Sequence, residues 1–399
     1  MKDLEDKKIQ LFFEKAIIVN LYFFSLGTMV SKALTSISGA LVVVFWILRI
    51  IYTKGYSFKT TPLDLPILCF ISTILLSGIG AFTRNFFEDF FNYTLLILLY
   101  YAIINTIKDY ETLKKILLLT IISVILASLF GLYQYYVFEV SRVSSFMLII
   151  GYGGVLSIAI IFAFSYLLWG DFRFNYKLVL IGLILVFGLN LLFTKARGAW
   201  LAFIGSILLL SWIKDKRLIL VLVFLILLLG IFLPSQYTDR FFSIFDLEND
   251  NSNQARIILW QGAFMMWKDH LVNGVGAGNF KETFETNYMD LEPITTDHAH
   301  NNFLQFAAET GTLGFIAFSY LMVIILKVLF ESYNEIKRKN WRLFLLSSFV
   351  SMVSFNISGL TEFTFGVTAF VRFFWFLLAL SMVVIDFSQN REKDAVYNY

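Results

Sequence analysis

Residues 113–137 read LKKILLLTIISVILASLFGLYQYYV, and after Lys115 the run carries no charged side chain. A helix of about 20 apolar residues crosses a hydrocarbon layer of ~30 Å, so this stretch predicts a membrane span. The same pattern recurs outward in both directions. Further runs fall at 12–30, 34–53, 63–82, 91–107, 146–169, 177–194, 199–213, 217–233, 311–330, 343–361 and 366–386. The composition agrees: 58% of the 399 residues are hydrophobic and only 15% charged, whereas a soluble domain carries roughly 25% charged residues. The expected fold is therefore an all-α polytopic membrane protein with about 12 transmembrane helices. Four prolines and one cysteine exclude a Pro-rich linker protein, a disulfide scaffold and a Cys-based metal cluster. The first run follows MKDLEDKK without a small-residue cleavage pattern, so it is read as a retained span rather than a removable signal.

The polar string TKARG, residues 194–198, separates the seventh and eighth runs. Lys195 and Arg197 at mid-bilayer would each cost ~2.5–3.5 kcal/mol, which predicts a turn at the membrane boundary instead. Placing both termini in the cytoplasm puts 22 of the 32 basic residues on that side, as the positive-inside rule favours. Three regions follow: 1–233, an N-terminal bundle of about nine helices; 234–310, a long outer loop; and 311–399, about three helices and a cytoplasmic tail. The TKARG turn shares the outer face with the loop. Other basic residues on that face, such as Arg84, Arg142, Arg240 and Lys281, are read first as ordinary surface charges.

Within the outer loop, QARIILWQGAFMMWKDH (254–270) predicts a helix capped by Asn253 and ending at Asp269 and His270. Arg256 and Trp260 share one flank, and the greasy remainder suggests a helix lying along the membrane surface. The following NGVGAGNF (273–280) alternates Gly274, Gly276 and Gly278. Without a flanking βαβ unit this is no nucleotide fingerprint; it permits a tight turn, or lets backbone N–H groups approach an anion or a sugar.

The most informative string is TTDHAHNNFLQFAAETGTLG, residues 295–314. It predicts a helix capped by Thr296 or Asp297, carrying His298, His300, Asn301, Asn302, Gln305 and Glu309, with Gly311 closing its polar part. Two histidines two positions apart on a helix diverge by roughly 200° and could ligate one metal ion only if this stretch were extended, with no Cys or dense carboxylate set nearby to complete a site. No metal or other cofactor is expected. His300 facing an aqueous cleft has the chemistry to accept a proton from a sugar hydroxyl, while His298 beside Asp297 is placed to orient; a purely structural, capping histidine is the alternative. Arg197 and Arg256 bring guanidinium forks that grip phosphate oxygens, and Lys195 adds a point charge. A departing diphosphate can be stabilised by such groups. The alternative for Arg197 is a boundary anchor that snorkels to the interface.

Taken in order, TKARGAW, QAR…LW…GVGAGNF and HAHNNFLQFAAETGTLG resemble the O-antigen ligase family, with its related O-antigen polymerases and protein O-oligosaccharyltransferases. The resemblance implies a GT-C-like, inverting, metal-independent glycosyltransferase of lipopolysaccharide biosynthesis in the bacterial inner membrane, with a periplasmic active site. It implies a glycan donor on undecaprenyl diphosphate and a lipid A–core acceptor, both met in the lipid bilayer, and no nucleic-acid partner. Carried over residue by residue, His300 is catalytic and Arg197 and Arg256 bind the donor diphosphate; Lys195, His298 and Asn301 are supporting neighbours only. No appended soluble domain is read in the sequence, which gives no support to a protein-modifying enzyme that needs one. An O-antigen polymerase is expected to need a second basic outer loop, and the connections at 82–90, 138–145 and GLTEF around Glu362 are short. A transporter or flippase is the rival from another class, but transport sites are marked by ionisable residues near mid-bilayer, and these spans are nearly free of charge.

Overall fold

The computed structural model describes residues 2–53, 56–288 and 297–397. Among these there are fifteen helices: α1 (Lys2–Gly27), α2 (Lys32–Tyr52), α3 (Asp64–Ser77), α4 (Arg84–Thr106), α5 (Tyr110–Tyr136), α6 (Ile149–Trp169), α7 (Phe174–Phe193), α8 (Arg197–Lys214), α9 (Arg217–Phe232), α10 (Ser235–Phe242), α11 (Asn251–Asp269), α12 (Phe280–Asn287), α13 (Asn302–Glu335), α14 (Lys339–Ser358) and α15 (Thr368–Tyr397). Twelve are apolar. Ten of them have the length and composition to cross a membrane, and α3 and α9 are shorter. The chain is an all-α polytopic membrane protein.

The turn expected at TKARG is present, and its local chemistry explains why α7 and α8 do not fuse. The Thr194 hydroxyl donates to the Leu191 carbonyl at 2.7 Å and accepts from the Ala196 N–H at 3.1 Å. Lys195 takes a left-handed φ of 51°, which stops the helical hydrogen-bond ladder and lets α8 begin afresh at Arg197. Three expectations need correction. Helix α11 is capped by Asp250, whose side chain accepts from the Asn253 N–H, not by Asn253. Helix α4 starts at Arg84 because Thr83 caps it, so residues 84–90 are helical and the connection shrinks to 78–83. His298 and His300 are not helical; α13 begins at Asn302, and Asn301 caps it by accepting from the N–H groups of Phe303 and Leu304. Of the two cap residues expected there, Thr296 lies outside the described residues, and Asp297 pairs with Lys281 instead.

Alternation of the spans sends the connections to two ends of the bundle. At one end Lys59 pairs with Asp386, Lys108 with Glu14 and Lys339 with Asp171. At the other end the 78–83, 137–148, 194–196 and 359–367 connections meet the long 233–301 segment. There Asn279 donates to the Ala81 carbonyl at 3.0 Å, and Arg142 donates to the Thr194 carbonyl at 3.2 Å. Beneath this second end lies an aromatic core. Phe306 stacks on Phe318 at 4.4 Å between centroids, Phe70 meets Phe306 at 5.4 Å, and Phe355 meets Phe365 at 5.5 Å. These rings tie α3, α13 and α14 to the 359–367 connection and give it a rigid floor.

Helix α11 packs its Leu259, Ala263 and Met266 against α12 and α13 in a second, smaller core with Phe280 and Phe284, while Phe264 and Met265 face outward. The docking is fixed by two glycines. Gly311 breaks α13 with φ 65° and ψ −166°, and an added Cβ there would stand 2.4 Å from the Val272 carbonyl oxygen. Gly274, with φ +68°, would put one 2.3 Å from the Glu309 carbonyl carbon. Backbone approach this close leaves room for hydrogen alone.

Candidate active site

The segment 297–301 is irregular, and its backbone is satisfied by side chains from the helix it precedes. The Ala299 N–H donates to Gln305 Oε1 at 2.7 Å. Two asparagines then staple this segment to the distant 359–367 connection. Asn301 Nδ2 donates to the Leu360 carbonyl at 3.0 Å, the Asn302 N–H to the Gly359 carbonyl at 2.7 Å, and Asn302 Nδ2 to Thr364 Oγ1 at 2.7 Å. Asn301 is thus an architectural residue, a cap and a tether.

This stapling places Glu362 between two donors. Its Oε1 lies 2.5 Å from Arg256 Nη2 and its Oε2 lies 2.9 Å from His300 Nδ1. Arg256 is held further by donation from Nε to the Thr361 carbonyl at 3.1 Å. Side-chain exposure rises from 9% at Glu362 through 16% at Arg256 to 27% at His300, so the carboxylate is the buried root and the imidazole the accessible tip. Burial alone pushes the Glu362 carboxyl up, but the hydrogen bond with His300 and the charge of Arg256 outweigh it and hold it below the usual carboxylate range. His300 itself has φ 49°, a left-handed conformation sustained by the contacts on either side. His298 turns its ring edge-on to His300 at 4.3 Å and rests 5.7 Å from Phe363. Burial, then the neighbouring His300, pushes the His298 imidazole down to about 4, so it is neutral near pH 7.

Arg197 is only 5% exposed. Its Nη1 donates to the Ser243 hydroxyl at 2.9 Å and its Nη2 to Asp250 Oδ1 at 3.0 Å. Arg240 approaches the same aspartate at 3.8 Å. Burial pushes the Asp250 carboxyl up, but the hydrogen bond and charge of Arg197, the Asn253 N–H and the charge of Arg240 together outweigh it and hold it below its ordinary value. Arg197 and Arg256 line one cavity of about 120 Å³, together with Leu247, Trp260 and Thr361. The Trp260 indole N–H is buried and has no hydrogen-bond partner among the described residues. Burial lowers the Arg142 pKa, and Glu362, Arg197 and Arg256 all act on it electrostatically. Arg240 likewise feels Arg197, Arg142 and Arg256.

Arg197, Arg256 and His300 thus come together, two through a shared cavity and two through one carboxylate. Lys195 stands aside, donating to Gln236 Oε1 at 3.0 Å over the Tyr237 ring. The sequence reading missed Glu362, Asp250, Arg142 and Arg240 as members of the cluster. A faint signal for Glu362 existed: it is the sole charge in the turn GLTEF on the same face as TKARG. The glycine string does bring N–H groups to an acceptor, but that acceptor is the chain's own Glu309 side chain, whose Oε1 accepts from Gly278 and Phe280 at 3.0 and 3.3 Å. Among the described residues no three His, Cys, Asp or Glu side chains are grouped as a metal set.

The arrangement offers an imidazole fixed at Nδ1 by an ionised carboxylate, with no partner for Nε2 among the described residues, beside a cavity lined by two guanidinium groups. Residues 181–319 match the family model described as O-antigen ligase; this span holds Arg197, Arg256 and His300 and ends short of Glu362. No curated protein matches the chain.

Proposed function

We propose, from the premise that this chain belongs to the O-antigen ligase family, that it is a ligase moving a glycan from undecaprenyl diphosphate to a sugar hydroxyl of lipid A–core. The family carries O-antigen ligase or polymerase-type chemistry in a membrane; the donor, the acceptor, the inner-membrane location and the periplasmic sidedness are our reading. The single observation that carries it is the bridging of His300 and Arg256 by Glu362 beside the cavity that Arg256 shares with Arg197.

Chemically, transfer needs a base for the acceptor hydroxyl and a sink for the charge of the leaving diphosphate. A carboxylate on Nδ1 keeps that proton in place and leaves the Nε2 lone pair to take the hydroxyl proton, the logic of the carboxylate–histidine pair in hydrolase triads. As the acceptor oxygen bonds to the anomeric carbon, the bond to the diphosphate breaks and its electron pair leaves with the diphosphate. The sugar configuration inverts because attack comes from the face opposite the leaving group. Four arginines, Arg142, Arg197, Arg240 and Arg256, stand against two carboxylates, Asp250 and Glu362. The net excess of positive charge suits a diphosphate and stabilises it as it departs.

The test supplies purified protein with lipid A–core and lipid-linked glycan together. Modified core is the expected product. Lengthened lipid-linked chains with unmodified core would make the protein a polymerase instead. His300→Ala is expected to fold normally and lose transfer by about 10²-fold or more.

A further inference from the structure

A second polar cavity, of about 150 Å³, opens at the same end of the bundle and shares no lining residue with the one between Arg197 and Arg256. It lies between the 28–31 connection, the residues leading into α6, and the start of α15. Two cations line it, Lys32 and Arg372, with the hydroxyls of Ser31 and Ser36. Arg372 Nη1 donates to Ser36 Oγ at 2.7 Å, and neither cation has a carboxylate within ion-pair distance among the described residues. Two long helices begin at its wall, α2 at Lys32 behind the Ser31 cap, and α15 at Thr368 and Ala369. Each brings first-turn N–H groups without intrahelical acceptors and the positive end of a helix dipole.

Two cations that pair with no carboxylate among the described residues, and two helix starts on one wall, make a site for an anion with several oxygens, which is to say a phosphate. The surroundings say where that phosphate comes from. Arg372 sits in the first turns of an apolar spanning helix, and the adjacent Ile37 and Leu148 expose 61% and 57% of their surface. A polar socket rimmed by bare aliphatic side chains fits a headgroup with its chains alongside.

We propose that this cavity binds the phosphate group of a membrane lipid. The inference stands apart from the transfer reaction proposed above, and its test needs no enzymatic activity. A photo-crosslinking phenylalanine analogue is introduced at Leu148, and the full chain is placed in phosphatidylcholine nanodiscs containing a minority of phosphatidic acid or, in a parallel set, of diacylglycerol with the same chains. Mass spectrometry identifies the adducts. Phosphatidic acid is expected to be captured and diacylglycerol not. Lys32→Gln and Arg372→Gln should each reduce capture about tenfold or more, the loss expected when a hydrogen bond to a charged group disappears. Lys32 is exposed, so its variant reads binding without threatening the fold. Arg256→Ala should leave capture unchanged, which keeps this site distinct from the candidate active site. Competition by inorganic phosphate would show that the phosphate alone is recognised; undiminished capture in its presence would show that the lipid is the source. Equal capture of diacylglycerol, or capture unaffected by both cation variants, would overturn the proposal.

Discussion

The sharpest perturbation available is Glu362→Gln, which changes one atom type at the buried root of the site. The carboxylate faces two donors, Arg256 at 2.5 Å and His300 at 2.9 Å, and accepts from both. An amide of the same shape has one accepting oxygen and one donating NH2 group. Whichever way it turns, one contact becomes donor against donor unless a partner changes its proton. Arg256 cannot give one up. His300 can, by moving its proton from Nδ1 to Nε2, so the amide oxygen should stay with Arg256 and its NH2 should donate to Nδ1. The imidazole is then in the wrong tautomer: Nε2 carries a hydrogen and no longer accepts the hydroxyl proton. Loss of a correctly poised base is worth about 10²–10⁴ in rate, or ~3–5 kcal/mol in barrier.

The assay separates kcat from the donor KM in purified protein, with nitrogen NMR of ¹⁵N-histidine-labelled samples reporting the tautomer. Only three histidines are present, so the spectrum is tractable. The expected result is a kcat lower by at least about 10²-fold, a nearly unchanged donor KM because Arg256 keeps its acceptor, and a His300 signal shifted to the other tautomer. A kcat within a few-fold of the unaltered protein, or an unchanged tautomer, would refute the reasoning and leave Glu362 a structural tether.

Other outcomes follow from the same geometry. Arg256→Lys should raise the donor KM, because an ammonium cannot hold both the Thr361 carbonyl and the Glu362 carboxylate while presenting a planar fork to phosphate; equal donor affinity measured by titration would remove Arg256 from that role. Acid should loosen the fold in two windows. His298 stays neutral when folded down to about 4 against an ordinary 6.5, so between those values the unfolded chain binds the extra proton and stability falls as pH falls. Glu362, held below its ordinary 4.5, contributes stability that is present above that value and lost on further acidification. Melting midpoints across pH should show both slopes, with His298→Gln flattening the first and Glu362→Gln the second. Gly311→Ala should lower the melting midpoint by the equivalent of at least ~1–3 kcal/mol, since alanine tolerates neither that φ and ψ nor the Val272 oxygen; an unchanged midpoint would mean that the kink relaxes freely.

Much of the architecture is written in short-range patterns. Apolar run length picks out the twelve greasy helices, and a lysine and an arginine inside TKARG compel a break that the fold makes between α7 and α8. What escaped sequence reading depends on competition or on distance. The string DHAHNN has helix-compatible residues, yet Asn301 turns its side-chain oxygen back onto the N–H groups of Phe303 and Leu304, ending the helix in front of the histidines. Asp250 caps α11 because its Oδ1 accepts from the Asn253 N–H, while the Asn253 Nδ2 group donates back to the carbonyls of Ser243 and Asp246. Glu362 lies 62 positions from His300, beyond α13 and α14, and nothing local announces the meeting. Arg142 and Arg240 are similarly silent, since only the gathering of four separate connections at one end makes a cluster of them.

The division of labour among the arginines follows from their burial and pairing. Arg197 is buried, Arg256 is partly buried, and both already hold carboxylates, so their charge is largely compensated before any ligand arrives. What they retain is direction, because each guanidinium is locked by two or more acceptors at the edge of the cavity that both line. Arg142 is exposed and has no carboxylate within ion-pair distance among the described residues, and Arg240 reaches Asp250 only at 3.8 Å. These two supply the uncompensated field that draws an anion toward the end of the bundle. Ionic strength should therefore act on capture through Arg142 and Arg240, whose fields pass through water and are screened within about 10 Å at 0.1 M salt. The orientation imposed by Arg197 and Arg256 arises from short hydrogen bonds to partly or fully buried partners and is less sensitive to it. A ligand oxygen that displaces Glu362 Oε1 from Arg256 would remove a positive partner from the carboxylate whose Oε2 still holds His300 Nδ1, so binding at the diphosphate pocket and the state of the base are coupled through this one carboxylate. A glutamate shared between the two is the shortest connection by which an occupied donor pocket can be felt at the histidine.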